Sequence, residues 1–314
     1  MGGILTITLP IFALIGLGYG SVRLGMFKVQ DMRVLGTYVL NIALPALLFN
    51  AVAKRSFSEV LNVEYLSVFL LGGLATIFVV YALTGVQGVG PARRAIAAMG
   101  SACPNSGYVG FPMILLIFPD LAGVVLAMNM LVENFILIPT CLILLEFSRP
   151  RAGRSILRLL GEILFSVVRR PLVIGLFLGL AVSITGLALP AAAVRLLDVL
   201  AASASALALF VIGGSLVGLP TKGNRALAAE IVVGKLLLHP ALTFGAMALL
   251  AAIGVGVPMG DLAVALILST AMPMFGIYTL LAQEYGYEGL ASLALLGATT
   301  GAFVTLTIMI GWLV

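Results

Sequence analysis

Apolar stretches of about 20 residues recur along this chain, and they constrain its fold more than any other feature of the sequence. A helix that spans the hydrocarbon core of a bilayer needs about 20 mostly apolar residues. The composition fits such helices, because 62% of the 314 residues are hydrophobic and only 9% are charged. Soluble domains are about 45–50% apolar and about 25% charged. A soluble enzyme, a nucleic-acid-binding domain and a disordered chain are therefore excluded.

Ten segments fit the length of a spanning helix, so we predict an all-α polytopic membrane protein. They lie at roughly 4–22, 33–53, 65–85, 93–118, 121–146, 171–189, 195–219, 226–254, 261–282 and 288–313. The first segment has no basic region before it and is interpreted as a retained helix, not a signal peptide. Cys103 and Cys141 both lie in apolar runs, and His239 is the single histidine. These counts predict neither a disulfide framework nor a metal or cofactor site.

The orientation follows from the distribution of Lys and Arg. The segment between the fifth and sixth spans carries six arginines: Arg149, Arg151, Arg154, Arg158, Arg169 and Arg170. By the positive-inside rule this segment is cytoplasmic, which places both termini on the outer face. We therefore predict a first five-helix repeat at 1–148, a basic cytoplasmic connecting loop at 149–170 and a second, inverted five-helix repeat at 171–314.

A short internal repeat supports this inversion. Ala102-Cys-Pro-Asn-Ser-Gly107 in the fourth span and Ala271-Met-Pro-Met-Phe-Gly276 in the ninth share the spacing Ala-x-Pro-x-x-Gly. Interrupted helices at matching positions of two halves are typical of inverted-repeat transporters and mark their binding sites. Because the match is short, chance similarity is an open alternative.

The two interruptions predict a binding site inside the membrane. Proline removes a backbone donor and clashes with the preceding turn, and backbone freed at bilayer depth has to line protein or a wet cavity. The half-helix that starts near Ser106 would present N–H groups and partial positive charge, which favour an anion. The alternative is two proline-kinked helices packed for structure alone. The predicted substrate-binding residues are Pro104, Asn105, Ser106, Gly107, Pro273, Met274, Phe275 and Gly276, together with Asn41 in the second span, where Pro45 frees a carbonyl.

Ionisable side chains within the spans are few. Glu133 lies in the fifth span, and Lys235 and His239 lie four residues apart on one face of the eighth. Intramembrane ionisable groups are functional candidates by default, so we predict that these three residues serve ion or proton coupling. The alternatives are a structural Glu–Lys pair, a lysine that neutralises helix C-termini at the crossing, and a plain hydrogen-bonded histidine.

Several motifs resemble the bacterial auxin efflux carrier family, within the superfamily of bile-acid, arsenite and riboflavin transporters. They are Pro10–Gly20, Asn41–Phe49, Pro104–Pro112 and Glu133-Asn134 with Pro139. The resemblance implies ten helices in two inverted repeats, with helices 4 and 9 crossing at their breaks. It also implies secondary transport by an elevator-type motion, and bacterial members are linked to malonate and other organic acids. Sodium-coupled relatives place a carboxylate near the ninth-span break, where this chain has Ser269, Thr270 and Thr279. Sodium coupling is therefore disfavoured, whereas proton coupling through Glu133 or His239 and uncoupled movement both stay open.

The leading hypothesis is a carrier for small organic anions in a bacterial inner membrane. An intramembrane sensor or scaffold, or an enzyme without transport activity, is the alternative. An enzyme is disfavoured because His-Glu-x-x-His and Gly-x-Ser-x-Gly motifs are absent. The expected partners are the anion and the lipid bilayer, with no nucleic acid, and a homodimer is left open.

Overall fold

A computed structural model describes residues 2–55, 57–149, 156–220 and 222–314 of the chain. The predicted all-helical class is confirmed, since these residues form helices and one isolated two-residue bridge. The helices are α1 Gly2–Arg23, α2 Val29–Ala53, α3 Val63–Val86, α4 Pro91–Ala102, α5 Ser106–Ile117, α6 Pro119–Phe147, α7 Ile156–Val168, α8 Pro171–Thr185, α9 Ala191–Ser215, α10 Arg225–Ala252, α11 Gly260–Thr270, α12 Tyr278–Gln283 and α13 Glu288–Leu313. A single helical turn, Phe57–Val60, lies between α2 and α3.

Helices occupy every segment predicted to span the membrane. Within the described residues, six helices are long and apolar enough to cross a bilayer without a break: α2, α3, α6, α9, α10 and α13. A bent pair, Leu160–Val168 and Pro171–Thr185, adds a seventh if its 66° bend lies within one span. The predicted fourth and ninth spans are each divided, into α4 with α5 and α11 with α12.

The segment predicted as a connecting loop is partly helical, which corrects that expectation. Residues 156–168 form α7, and Arg151 and Arg154 lie outside the described residues. Leu157, Leu164 and Val168 recur at helical spacing, and Arg158 pairs with Glu162 one turn away at 3.3 Å. These spacings stabilise an amphipathic helix. The loop had been predicted from the number of arginines, which does not show the spacing of the apolar residues.

The helices form two compact units, each drawing segments from both halves of the chain. The first unit contains 1–62, 106–130 and 166–218. Within it α1 packs on α9, where an added Cβ at Gly18 would overlap the Phe210 carbonyl and one at Gly213 the Ile15 carbonyl. Close backbone approach through glycine is typical of helix packing in membranes, where dispersion replaces the hydrophobic effect.

The second unit contains 63–105, 131–165 and 219–314. Within it α3 packs on α4 and α10, and α10 packs on α13. Glycine again permits the contact, since an added Cβ at Gly72 would overlap Thr243 of α10. Both breaks predicted from proline, at Pro104 and Pro273, belong to this unit.

Candidate functional site

The two breaks of the second unit cross and are joined by their backbones. Pro104 and Met274 form an isolated antiparallel bridge. The Asn105 N–H donates to the Pro273 carbonyl at 2.8 Å, and the Phe275 N–H donates to the Cys103 carbonyl at 3.3 Å. Each break thus supplies one donor and one acceptor to the other, which satisfies backbone groups that a bilayer core cannot. These two N–H groups are therefore engaged within the protein.

The crossing opens at Gly276. Residues 271–275 are buried, whereas Gly276 is exposed and no atom lies within 4 Å of the position that a Cβ would take. In the described part of the chain, the Gly276 N–H donates no backbone hydrogen bond. A donor beside open space and next to a buried crossing can receive a ligand oxygen.

A buried tyrosine and a buried serine hold the helices around the crossing. The Tyr278 hydroxyl, at the start of α12, donates to the Ile96 carbonyl of α4 at 3.1 Å. The Ser101 hydroxyl donates to the Ile231 carbonyl of α10 at 3.4 Å. Both bonds join elements that are more than 100 residues apart, so they fix α12 and α10 against the helix that ends at the first break.

The predicted pair on α10 forms a polar cluster with the end of α11. The Lys235 ammonium nitrogen lies 2.9 Å from the Thr270 carbonyl oxygen and 2.8 Å from His239 Nδ1. Both side chains are fully buried. An ammonium at this position would donate to Nδ1 and leave the imidazole proton on Nε2. His239 Nε2 is buried without a hydrogen-bond partner among the described residues.

Glu133 belongs to the same unit. It is buried in α6. Asn134 is buried beside it in the chain. The structure therefore places all three predicted coupling residues in the second unit and brings Lys235 and His239 into direct contact.

The remaining predicted residues belong to the first unit. Ser106 accepts a hydrogen bond from the Asn129 side-chain amide at 3.2 Å, and both are buried. Gly107 is buried against Leu44. Asn41 differs from the others because it is exposed.

Four π-helical turns carry five of the twelve predicted site residues, a feature that sequence reasoning missed. They are Val39–Ala43, Ser106–Gly110, Glu133–Leu137 and Gly234–Leu238. Each ends two residues before a proline, and each contains a predicted residue: Asn41, Ser106, Glu133 and Lys235 respectively. A wider turn accommodates the carbonyl that proline leaves without a donor. The proline two residues after each turn was the signal available in the sequence, but the sequence analysis did not derive a π turn from it.

A second feature absent from the predictions is an open cavity of about 450 Å³ in the first unit. Its polar lining includes Asn50, Lys54, Arg55 and Asp198. Lys54 pairs with Asp198 at 3.1 Å, and the Asn50 amide donates to the same carboxylate at 2.9 Å. The charges of this cavity are thus matched by one another.

Comparison with known proteins identifies the family. A family model described as "Membrane transport protein" matches residues 4–310, nearly the whole chain. The chain belongs to this membrane transport family. The resemblance to auxin efflux carriers inferred from its motifs is thereby confirmed, and the chain is a transporter, not an enzyme.

Two relatives of this membrane transport protein are informative. A protein of Rhizobium meliloti strain 1021 named "Putative malonate transporter" is 31% identical over 257 residues, which cover 79% of this chain and 78% of the relative. A protein of Escherichia coli K12 named "Uncharacterized transporter YfdV" is 28% identical over 210 residues, 65% of this chain and 66% of the relative. Both names denote transporters, which agrees with the family.

The donor set of the transporter offers little to a multivalent metal. Among the described residues, no group of three or more His, Cys, Asp or Glu side chains is placed to hold a metal ion. Cys103 and Cys141 are buried free thiols.

Proposed function

We propose that this protein is a secondary carrier for small organic anions, with malonate as the leading candidate. The crossing of two broken helices that opens at Gly276 is the observation that carries the proposal. Discontinuous helices that meet at the membrane midplane are typical substrate sites of inverted-repeat transporters. The name of the Rhizobium relative supports a dicarboxylate as substrate.

The architecture in this proposal is ten membrane-spanning helices in two inverted repeats. Helices α4 with α5, and α11 with α12, then form the fourth and ninth spans. An elevator-type alternating access needs two bodies, and the division of the chain into two compact units supports that mechanism. The proposed location is a bacterial inner membrane with both termini on the outer face, and a homodimer is compatible with the proposal.

The substrate carboxylate is proposed to bind at the open side of the crossing. The Gly276 N–H donates to it, and the side chain of Asn105 and the groups at Met274 and Phe275 border it. Pro104 and Pro273 hold the breaks open, because neither can donate a helical hydrogen bond. Ser106, Gly107 and Asn41 stay predictions of substrate contact.

Coupling is proposed to involve protons and not sodium. Glu133 or His239 would carry the proton. An uncompensated anion feels the membrane potential by about 2.3 kcal/mol per charge per 100 mV. Import against a negative interior therefore requires a co-moving cation, whereas export of the anion does not.

Transport by purified protein in liposomes tests these points together. Uptake of radiolabelled malonate is measured against a panel of mono- and dicarboxylates, in sodium or choline buffer, with and without an imposed potential or pH gradient. We expect saturable malonate uptake that responds to the pH gradient and not to sodium. Empty liposomes provide the background. The absence of saturable uptake of every acid in the panel would reject an organic-anion substrate.

A further inference from the structure

The side chain of Lys235 donates a hydrogen bond to the carbonyl end of a helix and not to a carboxylate side chain. Its Nζ atom is fully buried, 2.9 Å from the carbonyl oxygen of Thr270. Thr270 is the last residue of α11, immediately before the second break. The ammonium therefore lies where the partial negative charge of the α11 dipole is concentrated.

The hydrogen bonds at this terminus show that Lys235 completes it. The last carbonyls of a helix have no partner within the helix. At α11 the carbonyls of residues 267 and 268 accept the Ala271 N–H, and that of Ser269 accepts the Met272 N–H at 3.4 Å. The next carbonyl, that of Thr270, accepts from Lys235. The lysine thus provides the terminal carbonyl of α11 with the partner that a bound cation or a continuing helix would otherwise supply.

We propose that Lys235 is a resident cation, which neutralises the carbonyl end of α11 in place of a dissociable metal ion. A buried ammonium is stable only where negative charge and acceptors surround it. The α11 terminus and His239 Nδ1 provide acceptors for that ammonium. Because the cation is covalently attached, the crossing keeps its charge whichever ions are present outside.

The π turn of α10 explains how the lysine reaches this position. The turn Gly234–Leu238 precedes Pro240 and widens the helix where it faces the second unit's interior. Gly234 packs so closely on Ser101 that an added Cβ would lie 2.5 Å from the serine hydroxyl. The adjoining residue, Lys235, is thereby held at a fixed depth next to the end of α11.

Three variants separate the charge of Lys235 from its volume. Lys235→Ala removes both and leaves room for a small external cation. Lys235→Met fills most of the space without charge, and Lys235→Arg keeps the charge. Melting temperatures are measured for each purified protein in sodium, ammonium, methylammonium or choline chloride at equal ionic strength, so that general screening is the same throughout.

We expect the melting temperature of Lys235→Ala to fall and then to rise with ammonium, methylammonium or sodium concentration, but not with choline. The wild type and Lys235→Met should not respond, and Lys235→Arg should lie closer to the wild type than Lys235→Met does. A folded Lys235→Ala that no cation stabilises would overturn the proposal. A Lys235→Met as stable as the wild type would do so too, because volume alone would then suffice. If only Lys235→Arg folds, the requirement for charge is supported.

A transport arm extends the test and rests on the proposed anion carrier, whereas the melting arm does not. Malonate uptake by the wild type should be equal in sodium and choline buffer. Uptake by Lys235→Ala should be lost in choline buffer and restored in part in sodium buffer. Loss of uptake in every variant and the wild type would count against the malonate assignment alone. A sodium requirement of the wild type would count against the resident cation.

Discussion

Substitution of Gly276 tests the proposed binding point with little risk to the fold. The position is exposed, no atom lies within 4 Å of an added Cβ, and the backbone is not in the left-handed region that would demand glycine. Gly276→Leu should therefore change the free energy of unfolding by no more than about 0.5 kcal/mol, as for surface substitutions generally. The leucine side chain would instead occupy the space from which a carboxylate reaches the Gly276 N–H.

The expected loss of affinity can be worked from that one contact. A hydrogen bond to a charged group contributes about 1.5–3 kcal/mol, and about 1.4 kcal/mol corresponds to a factor of ten in affinity. Losing the bond between Gly276 and the carboxylate should then raise the malonate Kd about 10- to 150-fold. Steric exclusion of the anion by leucine would add to this.

Isothermal titration calorimetry with malonate measures the Kd, and a melting curve of the same sample checks the fold. Gly245→Leu is the matched control, because Gly245 lies in the same unit and also has open space around its Cβ position. The control should bind like the wild type. Unchanged affinity in a normally melting Gly276→Leu protein would refute the placement, and so would an equal loss in the Gly245 control.

Three further predictions concern packing, charge and topology. Gly18→Ala should destabilise the protein by about 1–3 kcal/mol through overpacking against α9, whereas Gly16→Ala, with open space at its Cβ, should not; equal melting temperatures would contradict the close approach of α1 and α9. Glu133→Gln should abolish the pH dependence of uptake, because it removes a buried titratable carboxylate; an unchanged pH profile would show that this carboxylate is not needed. Arg158→Cys, exposed on α7, should react in intact cells only with a membrane-permeant thiol reagent; labelling by an impermeant reagent would reverse the predicted orientation.

The helices and their breaks could be predicted from the sequence because both depend on local properties. The length of each apolar run determines whether a helix can cross a bilayer, and helices are found in all of the predicted segments. Proline ends a helix wherever it removes a required donor, so Pro104 and Pro273 marked the interruptions, and α5 begins at Ser106 as expected. The candidate polar residues were also found locally, because charge within an apolar run needs no tertiary information to recognise.

The partners of those residues were decided only by the tertiary structure. Asn105 and Phe275 had been predicted to bind the substrate, but their N–H groups bond to the opposite break. A Glu–Lys pair had been one alternative for Lys235, whereas its hydrogen bonds go to His239 and to Thr270, which lies 35 residues further along the chain. Each buried donor takes the acceptor that packing brings within about 3 Å, and such distances between remote segments leave no periodic trace in a sequence.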